Sequence, residues 1–302
     1  GLERRAQELG YAFETVTLDS FRTGANLQRM LLSRGVEGIV VLPLLRNADL
    51  DTALRDAKEA YVANKPRSLA RYVEATAAMP GGNTRTVLHY APFPAAMERG
   101  EGCRLWDIDG QEYVDFLGEY TAGIYGHSHP VIRSAVDRAL DGGISFGATN
   151  NTEQKFARAI CDRFGLERVR LTNSGTEANL LAITLATVFT KRKKVMVFEG
   201  GYHGAVFGFA GGGSPVNAPF DYVVGQYNDL DGTRALIRAN AATLAAVVLE
   251  PMLGSGGCIP AEPDFLAMIR EETSAEHIAM IFDEVMTSRL APGGLQDRKS
   301  VV

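Results

Sequence analysis

Cysteine is scarce in this sequence: three in 302 residues, at 103, 161 and 258, odd in number and far apart. That excludes a disulfide framework and a CxxC metal knuckle, and no metal site is expected. Long apolar runs are also missing. No stretch approaches the roughly 20 residues of a membrane helix, and no charged-then-apolar leader opens the chain, so a reducing cytoplasm without membrane contact is the expected setting. Nor is positive charge in excess: 31 Lys and Arg stand against 36 Asp and Glu, a net charge of −5, which gives no pull towards nucleic acid. Internal repeats are absent. No GxGxxG follows the first strand of the later α/β stretch, which argues against a dinucleotide-binding domain. What remains is a chain of average composition, 46% hydrophobic and 22% charged, long enough for about two domains. Its expected partner is a small molecule.

Residues 1–46 read as a short α/β fragment, with helices over 2–9 and 26–33, strands over 12–18 and 36–43, and Gly10 and Gly35 placed where helices stop. The chain is expected to begin inside a helix, with Leu2, Ala6 and Leu9 on one face. GLERRAQELGYAFETV and LQRMLLSRGVEGIVVLPL resemble part of the ligand-binding domain of LacI-type transcription regulators. That likeness implies an alternative function, a ligand-sensing regulator joined to an effector domain, although no DNA-reading helix-turn-helix accompanies it.

From Asn47 the text changes to a charged helical segment that ends at Pro80-Gly81-Gly82. Residues 47–115 are expected to form one segment, and 116–296 a larger α/β domain. Within the first, CRLWDIDGQEYVDF carries an Asp109-Gly110 turn between two apolar runs, a hairpin signal. Within the second, strands are predicted over 169–172, 194–198, 222–224, 245–249 and 278–282. Continuous apolar runs such as AAVVL and IAMIF suit parallel strands covered by helices on both faces. Ligands of such sheets sit at the carboxyl ends of the strands. The KRKK run at 191–194 reads as the solvated end of a helix rather than a nucleic-acid patch.

Four polar signals fall where predicted strands end. Ser174-Gly175-Thr176, between a strand and the helix ANLLAITLATVF, offers hydroxyls and unpaired N–H groups to a phosphate, or else is an ordinary N-cap followed by Glu177. Glu199-Gly200-Gly201-Tyr202-His203-Gly204 presents an aromatic face among glycines, a pattern also common in plain loops. Glu250 follows AAVVL and Asp283-Glu284 follows IAMIF; an acid ending a buried strand is frequent in α/β proteins whatever their function.

In order, the segments PGGNTRTV, GHSHPVI, ISFGA, NSGTEA, EGGYHG, LEP and IFDEVMTSR make residues 47–296 resemble class III pyridoxal-phosphate aminotransferases, most closely those like glutamate-1-semialdehyde aminomutase. The resemblance implies pyridoxal 5'-phosphate as cofactor, an amino acid or amine as substrate, and a homodimer. It also implies the large domain of the fold type I pyridoxal-phosphate transferases, an α/β architecture with a mostly parallel sheet, here incomplete. Carried over by position, Ser174, Gly175 and Thr176 match the phosphate-binding turn, Tyr202 the aromatic stacked on the cofactor ring, and His203 its neighbour. Asp283 matches the partner of the pyridine nitrogen, whose charge keeps that nitrogen protonated. Val285 matches the residue on the ring's other face, and Glu250 a carboxylate near its polar edge. Arg85 matches an arginine that pairs with the substrate carboxylate, for which a bidentate guanidinium is well shaped.

Tyr120 stands where the aminomutases have a tryptophan lining the substrate site, and Ser255 where they have an asparagine. The loop after His203 is shorter than their gating loop. These departures favour an aminotransferase over an aminomutase. The lysine that forms the Schiff base with the cofactor follows Asp283 in this family at a greater distance than the 19 residues present here. Lys299, in a final stretch 297–302 expected to be a non-native tail, is not that lysine. The expectation is that the 302-residue chain by itself does not complete transamination.

Overall fold

The computed structural model describes residues 48–296. The readings made above for residues 1–46 and 297–302 lie outside the described residues. The described residues divide into two compact units, 48–100 with 104–114, and 101–103 with 115–296, and each is taken by itself.

In the first unit the charged segment is two helices, α1 (Ala48–Asn64) and α2 (Pro66–Ala78). They break at Lys65 because Pro66 cannot donate into the preceding turn and suits the first position of a new helix. A three-stranded sheet follows, β1 (Met97–Glu101), β2 (Arg104–Asp107) and β3 (Glu112–Val114), with β2 and β3 antiparallel about the Asp109-Gly110 turn. This is the expected hairpin. Its turn also starts the second helix: the Asp109 carboxylate accepts from the backbone N–H groups of Arg67 (2.7 Å) and Ser68 (3.0 Å) and from the Ser68 hydroxyl. Those are N–H groups a helix start leaves unpaired. Beneath the hairpin, Lys65 Nζ lies 2.5 Å from Asp107 Oδ2 and 2.9 Å from Gln111 Oε1, and the Tyr113 hydroxyl donates to Asp107 at 2.6 Å. Lys65 and Asp107 are both buried.

The second unit contains helices α3 (Pro130–Asp141), α4 (Asn151–Phe164) and α5 (Gly175–Thr190), then α6 (Leu230–Asn240) and α7 (Pro263–Ala275). Its sheet holds β4 (Lys194–Phe198), β5 (Asp221–Gly225), β6 (Leu244–Leu249) and β9 (Ala279–Phe282), all parallel in the order β5-β4-β6-β9. The short β7 (Met252–Leu253) and β8 (Ile259–Pro260) pair apart from it. β6 is buried along its whole length, as its unbroken apolar run requires. Alternation along the strands serves two cores. Met196, Phe198, Val247 and Leu249 pack with Ile237 of α6 and Phe265 and Ile269 of α7. Val195, Val197, Ala246 and Val248 pack on the opposite face with Ile183 and Ala186 of α5 and with Phe207 and Phe209. Helices therefore cover both faces, as expected for an α/β sheet of this kind.

One predicted strand is corrected. Residues 169–172 pair with no strand among the described residues. A strand exists only through its ladder partner, so an apolar run alone does not make one. Lys191 ends α5 in the left-handed region (φ 58°), and the KRKK run does close a helix. No described helix is long and apolar enough to cross a membrane.

Candidate active site

The site lies where β4, β6 and β9 end and α5 begins. Ser174 caps α5: its side chain accepts from the Glu177 N–H at 3.2 Å, and Glu177 in turn accepts from the Asn173 N–H at 2.7 Å. The ordinary cap is thus present. It does not exhaust the turn, because the first N–H groups of the helix have no intrahelical partner and the dipole there favours an anion.

The loop after β4 closes on this helix start. Thr176 Oγ1 accepts from the Ala205 N–H at 3.2 Å. Gly204 has φ +124°, and a Cβ on it would come within 2.3 Å of Thr176 Oγ1 and 2.8 Å of Thr176 Cα. Only glycine fits here. Gly204→Ala is expected to lower stability by about 3 kcal/mol, through backbone strain together with the clash. A chemical denaturation curve checks this; an unchanged midpoint would show that the loop does not rest on the helix.

The same loop folds on itself. His203 N–H donates to Phe207 O at 2.8 Å, and Phe209 N–H to Gly201 O at 2.8 Å. Asn217 brackets Gly208 with two bonds of 2.8 Å. These bonds fix the loop that carries Tyr202 and His203. Tyr202 is 43% exposed, whereas His203 is buried.

Asp283 is the centre of the arrangement. It follows β9 and is buried, and its backbone N–H donates to Leu249 O at 2.8 Å, which continues the sheet register. Its Oδ2 is 3.0 Å from His203 Nδ1 and 2.8 Å from the Asn179 amide nitrogen, and its Oδ1 accepts from the Val285 N–H at 3.0 Å. Burial alone would raise its pKa. The hydrogen bond and charge of His203, the Val285 N–H and the Asn179 amide outweigh burial, and the carboxyl is held below the usual carboxylate range. It is an anion in the folded protein at neutral pH.

Glu250, at the end of β6, behaves oppositely. Burial pushes its pKa up, and the N–H bonds from Gly254 (2.9 Å) and Tyr202 (3.1 Å) and the nearby His203 only partly offset this. Both carboxylate oxygens therefore hold loop backbone. The Tyr227 hydroxyl donates to the Glu250 carbonyl at 2.6 Å. Glu284 is likewise structural, accepting from Thr287 Oγ1 (2.7 Å) and from the N–H groups of Leu295 (3.0 Å) and Gln296 (2.8 Å).

Ser174, Gly175, Thr176, Tyr202, His203, Glu250, Asp283 and Val285 thus gather in one unit. A Cβ on Gly175 would sit 3.5 Å from Val285 Cγ2, so the helix start and the residue after Asp283 are near contact. Tyr120 belongs to the same unit, in the left-handed region (φ 56°); its neighbour Thr121 donates to Met286 O at 3.3 Å and accepts from Arg289 at 3.1 Å. Ser255 donates to Gly200 O at 3.0 Å. Arg85 lies in the first unit, where its N–H donates to Asn83 Oδ1 at 3.1 Å. Sequence reasoning missed Asn179. Its signal was one amide in a predominantly apolar helical run.

The residues present fit pyridoxal phosphate on three observations. There is a helix start against a loop that only glycine allows, a half-exposed aromatic beside it, and a buried anion fixed by three donors. A family model described as aminotransferase class III matches residues 87–294. The β-phenylalanine transaminase of Variovorax paradoxus is 49% identical over 258 residues, covering 85% of this chain and 59% of that protein. The glutamate-1-semialdehyde 2,1-aminomutase of Salinibacter ruber is 39% identical over 251 residues, covering 76% and 57%. Among solved structures, the β-phenylalanine aminotransferase of Variovorax paradoxus superposes with a TM-score of 0.79 at 51% identity, over 81% of this chain and 57% of that one. A transaminase with pyridoxal phosphate bound gives 0.70 at 35% identity, over 76% and 57%. The chain spans about three-fifths of the length of these curated relatives. By fold, by the gathering of these residues and by sequence, the chain belongs to the class III aminotransferase family.

Proposed function

We propose that this chain binds pyridoxal 5'-phosphate and that the protein it belongs to transfers an amino group between an amino acid or amine and an acceptor. The observation that supports this most is the buried Asp283 anion, held by His203, Asn179 and the Val285 N–H at the end of a parallel strand. Bound there, the cofactor supplies an electron-withdrawing ring that stabilises charge developing on the substrate carbon. Asp283 keeps the proton on the ring nitrogen, and His203 orients Asp283. The Ser174-Gly175-Thr176 turn binds the phosphate through helix N–H groups and hydroxyls. Tyr202 and Val285 would hold the cofactor ring between them. Glu250 acts through the backbone, holding the Tyr202 N–H. Arg85 pairs with the substrate carboxylate, and Tyr120 lines the substrate site.

A β-amino acid with an aryl group is the first candidate substrate, since identity to the β-phenylalanine transaminase (49%) exceeds that to the aminomutase (39%). The proposed assembly is a homodimer, supported by large apolar side chains left open on the second unit: Phe116 is 96% exposed and Ile144 85%. A cytoplasmic setting is proposed from the three unpaired cysteines.

The test uses a protein carrying this sequence together with a Schiff-base lysine. Mixed with a β-aryl β-amino acid and a 2-oxo acid, it is expected to yield the matching keto acid and amino acid in equal amounts. Isomerisation of glutamate 1-semialdehyde without amino transfer would support the aminomutase reading instead.

A further inference from the structure

Asn179 lies in the second turn of α5, a predominantly apolar helix, and is buried. An amide in such a place must be paired, and its bonds show what it does. Its Nδ2 donates to Asp283 Oδ2 at 2.8 Å and to the His203 main-chain oxygen at 3.0 Å. The NH2 group has two hydrogens, and both are used. The opposite amide orientation would set its oxygen against a carboxylate and a carbonyl, two acceptors, so the donor must face inward. Because His203 Nδ1 meets the same Oδ2 at 3.0 Å, three residues close a ring of bonds. They come from three places: helix α5, the loop after β4 and the end of β9.

The ring has a geometric consequence. Asp283 Oδ2 holds two donors and Oδ1 holds the Val285 N–H. A carboxylate offers about four acceptor positions, so these bonds leave about one and fix its direction. The His203 loop and the Asp283 carboxylate reach this point from separate elements. Asn179, anchored on a helix, grips both.

We propose that Asn179 is a positioning residue, one amide group holding the Asp283 carboxylate and the His203 backbone so that the remaining acceptor position of Asp283 faces the ring nitrogen of bound pyridoxal phosphate. The inference rests on the functional reading above. It concerns orientation, and Asn179 itself touches no reacting atom.

The 302-residue chain and its Asn179→Leu and Asn179→Ser variants are titrated with pyridoxal phosphate labelled at the ring nitrogen. The NMR shift of that nitrogen is followed from neutral to alkaline pH, and folding is checked by circular dichroism. Asn179→Leu keeps the branched shape, with bulkier ends, and removes both donors. Its affinity is expected to fall by at least about 10-fold, as for loss of a hydrogen bond to a charged group, and the bound ring nitrogen is expected to lose its proton at lower pH than in the parent chain. Asn179→Ser, smaller and with one donor, is expected to fall between and serves if the leucine variant does not fold. The other charged groups bearing on Asp283 are His203, bonded to it, and Glu250, whose carboxylate repels it; neither changes in these variants. A variant that loses stability while its bound ring nitrogen keeps the parent pH profile would overturn the proposal. A parent chain that shows no saturable binding would defeat the functional reading itself, and this proposal with it.

Discussion

Asp283→Ala is expected to lower pyridoxal phosphate affinity by roughly 30-fold to several thousand-fold, the range for truncating one member of a buried, hydrogen-bonded charge pair at about 2–5 kcal/mol. The loss has two sources. The ring nitrogen loses its anionic partner, and three donors, Asn179 Nδ2, His203 Nδ1 and the Val285 N–H, lose their acceptor inside the protein. Buried donors left unpaired cost stability as well, so the unfolding midpoint should fall without any ligand present. Asp283→Asn separates the two contributions. It keeps the shape, but its NH2 must face at least one of those donors, and it has no charge with which to hold a ring proton. Affinity measured by cofactor absorbance should therefore drop nearly as far as in the alanine variant, with a smaller loss of stability. Because the carboxyl of Asp283 is held below its unfolded value, its contribution to stability is complete above the ordinary carboxylate pKa. It fades as the pH falls through the lower, folded value. Equal affinity in the parent chain and the asparagine variant would contradict the assigned role.

Asp107→Ala should have the largest effect on stability, in the first unit. Lys65 and Asp107 form an ion pair 2.5 Å long, and both are buried. Removing one partner leaves the other as a buried charge, which costs about 3–5 kcal/mol. The Gln111 N–H and the Tyr113 hydroxyl lose their acceptor too. Burial would raise the Asp107 pKa, but Lys65, Tyr113 and the Gln111 N–H bring it down to about 2. Lys65 moves the other way, above its ordinary value, because its bonds to Asp107 and Tyr113 outweigh burial. The pair therefore contributes fully between the unfolded aspartate pKa, about 3.9, and the unfolded lysine pKa, about 10.4. Its contribution fades as the pH falls through about 2 or rises through the folded lysine value. Replacing both residues by apolar side chains, as in Lys65→Met with Asp107→Leu, should recover the part of the loss due to the lone buried charge, and not the part due to the Gln111 and Tyr113 donors. Denaturation curves of the single and double variants check this. A single variant as stable as the parent would mean that the pair does not fasten the hairpin to the helix break.

Much of this was legible in the residues. The strands at 194–198 and 245–249 could be read because unbroken apolar runs suit a sheet covered on both faces, and the hairpin because Asp109-Gly110 names its turn. The predicted strand at 169–172 failed for the same physical reason that the others held: strand formation is settled by a partner, and a local pattern contains none. The split of the first helical segment at Lys65 went unread, although Pro66 is its local signal, and the buried pair beneath it has no local signal at all. Lys65 and Asp107 are 42 residues apart, and nothing local distinguishes them from surface charges. At the site, the motifs supplied Asp283, Tyr202 and the Ser174 turn by resemblance. They did not show that Glu250 spends both oxygens on backbone N–H groups, or that Asn179 ties Asp283 to His203. Those bonds cross 48 and 104 residues of sequence, and only the fold brings their ends together.

The role proposed for the second unit is to hold pyridoxal phosphate beside Asp283. An equilibrium titration of the 302-residue chain, followed by cofactor absorbance, tests it most directly, with nicotinamide adenine dinucleotide as the control. Saturable binding of about one pyridoxal phosphate per chain, abolished or strongly weakened by Asp283→Ala and absent for the dinucleotide, is the predicted result. Failure to saturate, or binding indifferent to Asp283→Ala, would contradict that role.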